Sequence, residues 1–86
     1  MNLLRITVYS KRDCHLCDEA KGVLKRFAAS YPLQINEQDI ESDPALFEKF
    51  HDEIPVIFLE NRKLFKYRID EKKFRKAIEA ALKEEQ

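Results

Sequence analysis

The two cysteines of this 86-residue chain, Cys14 and Cys17, are separated by two residues. An apolar run at residues 3–9 precedes them and is typical of a strand, and residues 10–13 form a polar connection. From Cys17 onward the apolar residues recur at helical spacing. A thiolate is the reactive form of cysteine, and a helix N-terminus stabilises it. The placement of this pair therefore predicts thiol–disulfide chemistry.

The charged residues near the first cysteine affect how stable its thiolate would be. Lys11, Arg12 and a protonated His15 favour the thiolate of Cys14, whereas two neighbouring acids oppose it. A cationic His15 beside Cys14 would stabilise the reduced form and make the dithiol more oxidising. The alternative interpretation of His15 is an ordinary solvated histidine, and the sequence leaves both open.

A structural disulfide and a zinc site are the alternatives to redox chemistry for the cysteine pair. A purely structural disulfide across two residues closes so small a loop that it would contribute little to stability. A zinc site needs about four ligands, whereas the chain has two cysteines and two histidines, with His15 between the cysteines. A zinc site shared by two copies of the chain, each giving Cys14 and Cys17, stays open as an alternative.

Length and composition restrict the class of protein. We expect residues 1–86 to form a single domain. Sixteen basic and sixteen acidic residues give a net charge of zero, which argues against nucleic-acid or anionic-membrane partners. No apolar segment approaches the roughly 20 residues of a membrane-spanning helix, and the first residues do not resemble a signal peptide. The expected location is the cytoplasm, where closely spaced cysteines are kept reduced.

The periodicity predicts an α/β domain. The first strand is apolar on both faces, which is typical of the middle of a sheet covered by helices on both sides. The first helix should begin at Asp13 or Cys14. Strands at 56–59 and 64–67 are joined too closely for a parallel crossover, so they should form an antiparallel hairpin around a turn at 60–63. The predicted order is β-α-β-α-β-β-α, a four-stranded mixed sheet with three helices.

Further expectations concern single residues in these elements. The second strand should extend as far as Ile40. Phe47 and Phe50 should belong to the core through the second helix. Gly22 should mark a close contact in the first helix, because glycine otherwise lowers helix propensity there. Asp70 should cap the last helix.

The element order, the cysteine pair at the first strand-to-helix turn and the Ile-Pro-Val sequence at residues 54–56 together resemble the thioredoxin fold. Within that fold the chain is similar to the glutaredoxin-like group of small redoxins, from residue 6 to residue 82. The most specific part of the resemblance is the segment 9–17, which contains both cysteines.

The resemblance implies roles for individual residues. Cys14 would be the exposed attacking thiol and Cys17 the resolving thiol. Pro55 would be the cis-proline that faces the dithiol, and Ile54 would offer its backbone N–H and C=O to an extended substrate. Asp70 would match an acidic substrate-binding residue of the family.

Three more candidate substrate-binding residues, Lys11, Arg12 and His15, lie around the first cysteine, and either Lys11 or Arg12 would match the basic residue that precedes the family motif.

The chain departs from the family pattern in two places. It has His15-Leu16 between the cysteines where the family commonly has Pro-Tyr. It also has Lys-Tyr-Arg-Ile at residues 66–69 where glutaredoxins carry a Gly-Gly pair that helps hold glutathione.

The resemblance implies a monomeric dithiol oxidoreductase that reduces protein disulfides or mixed disulfides with glutathione. Electrons would come from glutathione or from a reductase. No bound cofactor, metal, nucleic acid or membrane is expected. The alternative function is a metal-binding or redox-sensing module of the same fold that does not turn over.

Overall fold

The computed structural model describes residues 3–84 and confirms the predicted order of elements. A short 3-10 turn at Ile40–Ser42 lies between the second strand and the second helix. The strands are β1 (Leu4–Ser10), β2 (Leu33–Asp39), β3 (Val56–Leu59) and β4 (Arg62–Lys66), and the helices are α1 (His15–Ser30), α2 (Pro44–Phe50) and α3 (Glu71–Glu84).

The four strands form one mixed sheet in the order β2-β1-β3-β4. The pairing of β1 with β2 is parallel, and the pairings of β1 with β3 and of β3 with β4 are antiparallel. The interior position of β1 explains why its sequence is apolar on both faces. This topology is the thioredoxin-like arrangement that the sequence predicted.

Two hydrophobic clusters hold the layers together. The first lies between the sheet and the helices α1 and α3, and its largest fully buried member is Phe74. The second joins α2 to the other side of the sheet and to the start of α1, where Cys17 lies. Its fully or largely buried members are Cys17, Ile40, Phe50, Ile54 and Val56. The second cluster therefore places α2, the first turn of α1 and the segment before β3 in one packed unit.

The β3–β4 hairpin is antiparallel as predicted, but the predicted four-residue turn is wrong. Arg62 pairs with Leu59 and Lys63 pairs with Phe58, so both residues belong to β4. The turn contains only Glu60 and Asn61, and Glu60 has a φ of 53°. Charged residues in β4 are consistent with its edge position, because lysine and arginine discourage pairing with another strand.

Three single-residue expectations are wrong as well. The strand β2 ends one residue before Ile40, which starts the 3-10 turn. Phe47 is 44% exposed and not in the core, because Leu46 and Phe50, four residues apart, already form the inner face of α2. Gly22 marks no close contact, since a Cβ there would meet nothing within 4 Å.

Over residues 3–84, every helix is too short or too polar to cross a membrane.

Candidate active site around Cys14 and Cys17

A change of backbone direction at Asp13 places Cys14 at the start of α1. After β1 ends at Ser10, Asp13 adopts the left-handed conformation with φ = 56°. Cys14 is then extended and is the N-cap of the helix. Its Sγ accepts a hydrogen bond from the backbone N–H of Cys17, with a sulfur–nitrogen distance of 3.2 Å. Sulfur thus takes the place that a serine, threonine or aspartate oxygen usually has at an N-cap.

The two cysteines differ in their exposure to solvent. Cys14 and Cys17 are joined as a disulfide, and their Cα atoms are 5.2 Å apart, within the usual range of about 4.4–6.8 Å. Cys14 is partly exposed, whereas Cys17 is completely buried in the second hydrophobic cluster. A substrate can therefore approach Cys14 but not Cys17.

The segment before β3 lies against the dithiol. The Ile54–Pro55 peptide bond is cis, as the resemblance implied. Ile54 packs in the same cluster as Cys17, with Cys14 at its edge. The carbonyl oxygen of Pro55 accepts a hydrogen bond of 2.9 Å from the N–H of Tyr67. Among the described residues, no backbone partner bonds to the N–H or C=O of Ile54.

The other four predicted site residues lie on the exposed surface. Lys11 and Arg12 are exposed on the loop before Cys14. The side chain of His15 is 86% exposed, and its Nε2 lies 3.5 Å from Glu19 Oε1. The Oδ1 of Asp70 accepts a 3.1 Å hydrogen bond from a backbone N–H in the first turn of α3, as expected for a cap. The structure thus brings Cys14, Cys17 and Ile54 into one cluster and leaves the other four side chains exposed to solvent.

Sequence analysis missed a polar network that anchors the end of β1. Ser10 is only 1% exposed, and its hydroxyl donates a 3.1 Å hydrogen bond to Glu37 Oε2. The Nζ of Lys21 lies 2.6 Å from the same oxygen. The contact with Lys21 and the hydrogen bond from Ser10 lower the pKa of Glu37. The contact with Glu37 raises the pKa of Lys21. The three residues are far apart in sequence, so no local pattern could reveal the network.

A groove beside the dithiol was also not predicted. It has a volume of about 460 Å³ and lies between α1 and the connection from β4 to α3. Leu16, from between the two cysteines, lines it together with Tyr67, whose φ is 70°. Arg68 Nη1 and Glu19 Oε2, both also lining the groove, are 3.4 Å apart. The groove therefore extends from the cysteine motif to the residue that hydrogen-bonds to Pro55.

No cluster of three or more histidine, cysteine, aspartate or glutamate side chains able to hold a metal ion is found over the described part of the chain.

The family model described as a glutaredoxin-like domain (DUF836) matches residues 5–79 of the chain. The chain is also 30% identical over 88 aligned residues to a glutaredoxin-like protein of Dictyostelium discoideum, described as a YDR286C homolog. That alignment covers 95% of this chain and 82% of the relative. Both matches include the cysteine pair and the cis-proline segment within the aligned range.

Solved structures show the same fold. Protein Ne2328 from Nitrosomonas europaea superposes with a TM-score of 0.80 at 22% identity, covering 91% of this chain and 94% of that protein. A mutant thioredoxin from Halobacterium salinarum superposes with a TM-score of 0.64 at 18% identity, covering 92% of this chain and 74% of the thioredoxin. Identities this low support the thioredoxin fold and nothing more specific.

Proposed function

This chain belongs to the glutaredoxin-like domain family, and from that premise we propose that it is a thiol–disulfide oxidoreductase whose dithiol is Cys14 and Cys17. The observation that carries the proposal is the asymmetry of the pair. Cys14 is partly exposed at a helix N-terminus, whereas Cys17, with which it is paired, is completely buried. An attacking thiol must reach its substrate, whereas a resolving thiol needs to reach only its partner.

In the proposed reaction, the Cys14 thiolate attacks one sulfur of a substrate disulfide, and the other substrate sulfur leaves as a thiolate. The thiol of Cys17 then loses its proton and attacks the Cys14 sulfur. The remaining substrate sulfur leaves, and the two electrons given to the substrate are matched by formation of the Cys14–Cys17 disulfide. The N–H of Cys17 and the helix N-terminus favour negative charge on Cys14.

The free backbone groups of Ile54 support binding of an extended substrate segment next to Cys14. A segment that pairs with them would use main-chain hydrogen bonds, a mode that fits many different sequences. The exposed side chains of Lys11 and Arg12 would attract acidic groups of a substrate near the same cysteine. Substrates of the proposed reaction are therefore protein disulfides or mixed disulfides with glutathione.

The remaining features of the proposal come from the sequence and the family. Glutathione or a reductase would return the electrons, and no bound cofactor or metal would be required. The protein would act as a cytoplasmic monomer without nucleic-acid or membrane partners.

The test is the intact mass of the protein after equilibration through a series of glutathione redox buffers. Reversible loss of two hydrogens at a defined potential is expected, and the Cys17→Ser variant should accumulate a mixed disulfide at Cys14. Thiols that stay reduced throughout, or a stoichiometric metal that blocks oxidation, would favour the alternative of a binding or sensing module.

A further inference from the structure

The groove between α1 and the β4–α3 connection has a floor of aliphatic side chains. Leu16, Ala20 and Val23 line it from α1, and Ile69 lines it from the opposite side. Gly22 adds an open stretch of helix surface, because no atom lies within 4 Å of the position where its Cβ would be. The volume of about 460 Å³ falls in the range of about 300–1,000 Å³ seen for ligand pockets.

Charged residues at this groove already have partners within the chain. Glu19 uses one carboxylate oxygen for Arg68 and the other for His15. Arg26, the remaining charged residue of the lining, makes two hydrogen bonds to Glu71, at 3.0 and 3.2 Å. The side chains of Arg26 and Arg68 are 64% and 73% exposed, so these contacts are ordinary solvated ion pairs. The aliphatic floor is therefore the feature that distinguishes this groove from the surrounding surface.

The groove is continuous with the proposed active site. Leu16 lies between the two cysteines, and Tyr67 lines the groove while its N–H bonds to the Pro55 carbonyl. A peptide segment bound at Ile54 would therefore pass the open end of the groove. A side chain close to the substrate cysteine is the part of that segment placed to enter it.

We propose that this groove binds an aliphatic side chain that flanks the cysteine of a protein disulfide, and so selects protein substrates over glutathione. The inference rests on the proposed function. Glutathione has a γ-glutamyl group and a glycine on the two sides of its cysteine, and therefore has no aliphatic side chain to place against this floor. Burial of an aliphatic side chain against this floor is favourable and breaks no ion pair.

The experiment compares three mixed disulfides with thionitrobenzoate, whose coloured thiolate is released when the reduced protein attacks. Two are peptides that differ only in having leucine or serine on both sides of the cysteine, and the third is glutathione. We expect the leucine peptide to react about tenfold faster or more than the serine peptide and glutathione, which is the discrimination that an apolar pocket can provide.

A groove-filling variant, Gly22→Leu, tests where this preference arises. The added side chain begins in open space on the groove wall, and leucine is a better helix former than glycine, so the fold should persist. We expect the leucine-to-serine ratio of rates to fall close to one. The matched control is Ala29→Leu, an exposed position of the same helix outside the groove, which should keep the wild-type ratio.

Equal rates for the two peptides in the wild type, an unchanged ratio in Gly22→Leu, or fastest reaction with the glutathione substrate would each overturn the inference while leaving the proposed function intact. Failure of the reduced wild-type protein to release the thiolate from any of the three substrates would overturn the proposed function itself.

Discussion

The helices α1 and α3 begin in the same way but with different atoms. Each is preceded by a loop residue with positive φ, Asp13 before α1 and Tyr67 before α3. Each is capped by a side chain that accepts a hydrogen bond from the N–H three residues further on. The acceptor is Cys14 Sγ in α1, at 3.2 Å, and Asp70 Oδ1 in α3, at 3.1 Å.

The comparison of the two caps distinguishes stabilisation of a helix start from stabilisation of a reactive thiolate. A carboxylate is among the preferred N-cap groups and stabilises α3 without reacting. A thiol is a weak acceptor, so α1 has a poorer cap, but the same backbone N–H stabilises a reactive thiolate. An ordinary helix start becomes a candidate catalytic centre because the capping oxygen is replaced by sulfur.

The first residues of the two helices, Glu71 and His15, also differ in how their charge interacts with the helix dipole. Glu71 begins α3, where its negative charge is favoured by the helix dipole, and it also pairs with Arg26. His15 begins α1, where a positive charge is disfavoured by the dipole. The charge on the first residue of α3 therefore stabilises that helix, whereas in α1 the acidic residue of the first turn is Asp18, three residues after His15.

The largest expected effect comes from Cys14→Ser, which makes the cap of α1 an oxygen like that of α3. Disulfide exchange should fall to the uncatalysed background, because serine cannot form the mixed disulfide. The free energy of unfolding should equal that of the reduced wild type or exceed it by up to about 1 kcal/mol, since serine is a better N-cap than a thiol. Stopped-flow assays of thiolate release and chemical denaturation under reducing conditions measure the two quantities. Retained turnover would contradict the assignment of the attacking thiol.

The next effect comes from removing the cap of α3. Asp70→Ala should lower the free energy of unfolding by about 1 kcal/mol, because one N–H of the first turn loses its partner. Asp70→Ser should restore most of that loss. Urea denaturation measures both.

The same pair of variants separates the two roles predicted for Asp70. If KM for a disulfide substrate rises in Asp70→Ser although stability is restored, the residue also binds substrate as the resemblance implies. An unchanged stability in Asp70→Ala would show that the cap contributes nothing.

A smaller effect on the free energy of unfolding is expected from the contacts that hold the segments before α1 and α3. The loop before α3 is held by hydrogen bonds from Tyr67 to the carbonyl groups of Asp52 and Pro55, which do not titrate. The strand end before α1 is held through Glu37, whose pKa is lowered by Lys21 first and by Ser10.

A group with a lowered folded-state pKa contributes stability above its unfolded pKa, and this stability is lost as the pH falls through the folded value. Stability should therefore decrease below the ordinary glutamate pKa of about 4.5. Glu37 is half exposed, with Lys21, Lys25 and Asp18 as its charged surroundings, so the contribution of the pair should be below about 1 kcal/mol. Unfolding at several pH values with Glu37→Gln as control measures it, and an identical acid dependence in the variant would contradict the assignment.

The smallest effect is expected from His15→Ala. The side chain of His15 is 86% exposed. A charge interaction between His15 and the Cys14 thiolate at so exposed a site would contribute at most about 1 kcal/mol, equivalent to roughly 20 mV for a two-electron couple. We expect a shift to a more reducing potential of no more than about 20 mV, measured in glutathione buffers below neutral pH. A shift well above about 20 mV would contradict this bound, and an unchanged potential would exclude the cationic role of His15.

The sequence alone determined the elements and the chemistry that depends on local spacing. Cys14 and Cys17 lie within one helical turn, so their common position at a helix start follows from the pattern of residues around them. The apolar faces of β1 likewise predicted its place in the middle of the sheet. Short local patterns also predicted Asp70 as a cap, because capping involves neighbouring backbone groups.

Only the tertiary structure decided the features that join distant segments. Ser10, Lys21 and Glu37 form one network, and α1 and the 67–69 connection enclose one groove, although nothing in the local sequence relates them. The exposure of Phe47 was decided by which face of α2 meets the sheet. Helical or strand periodicity identifies a side chain's face within its own element, whereas contacts between elements depend on how those faces pack in three dimensions.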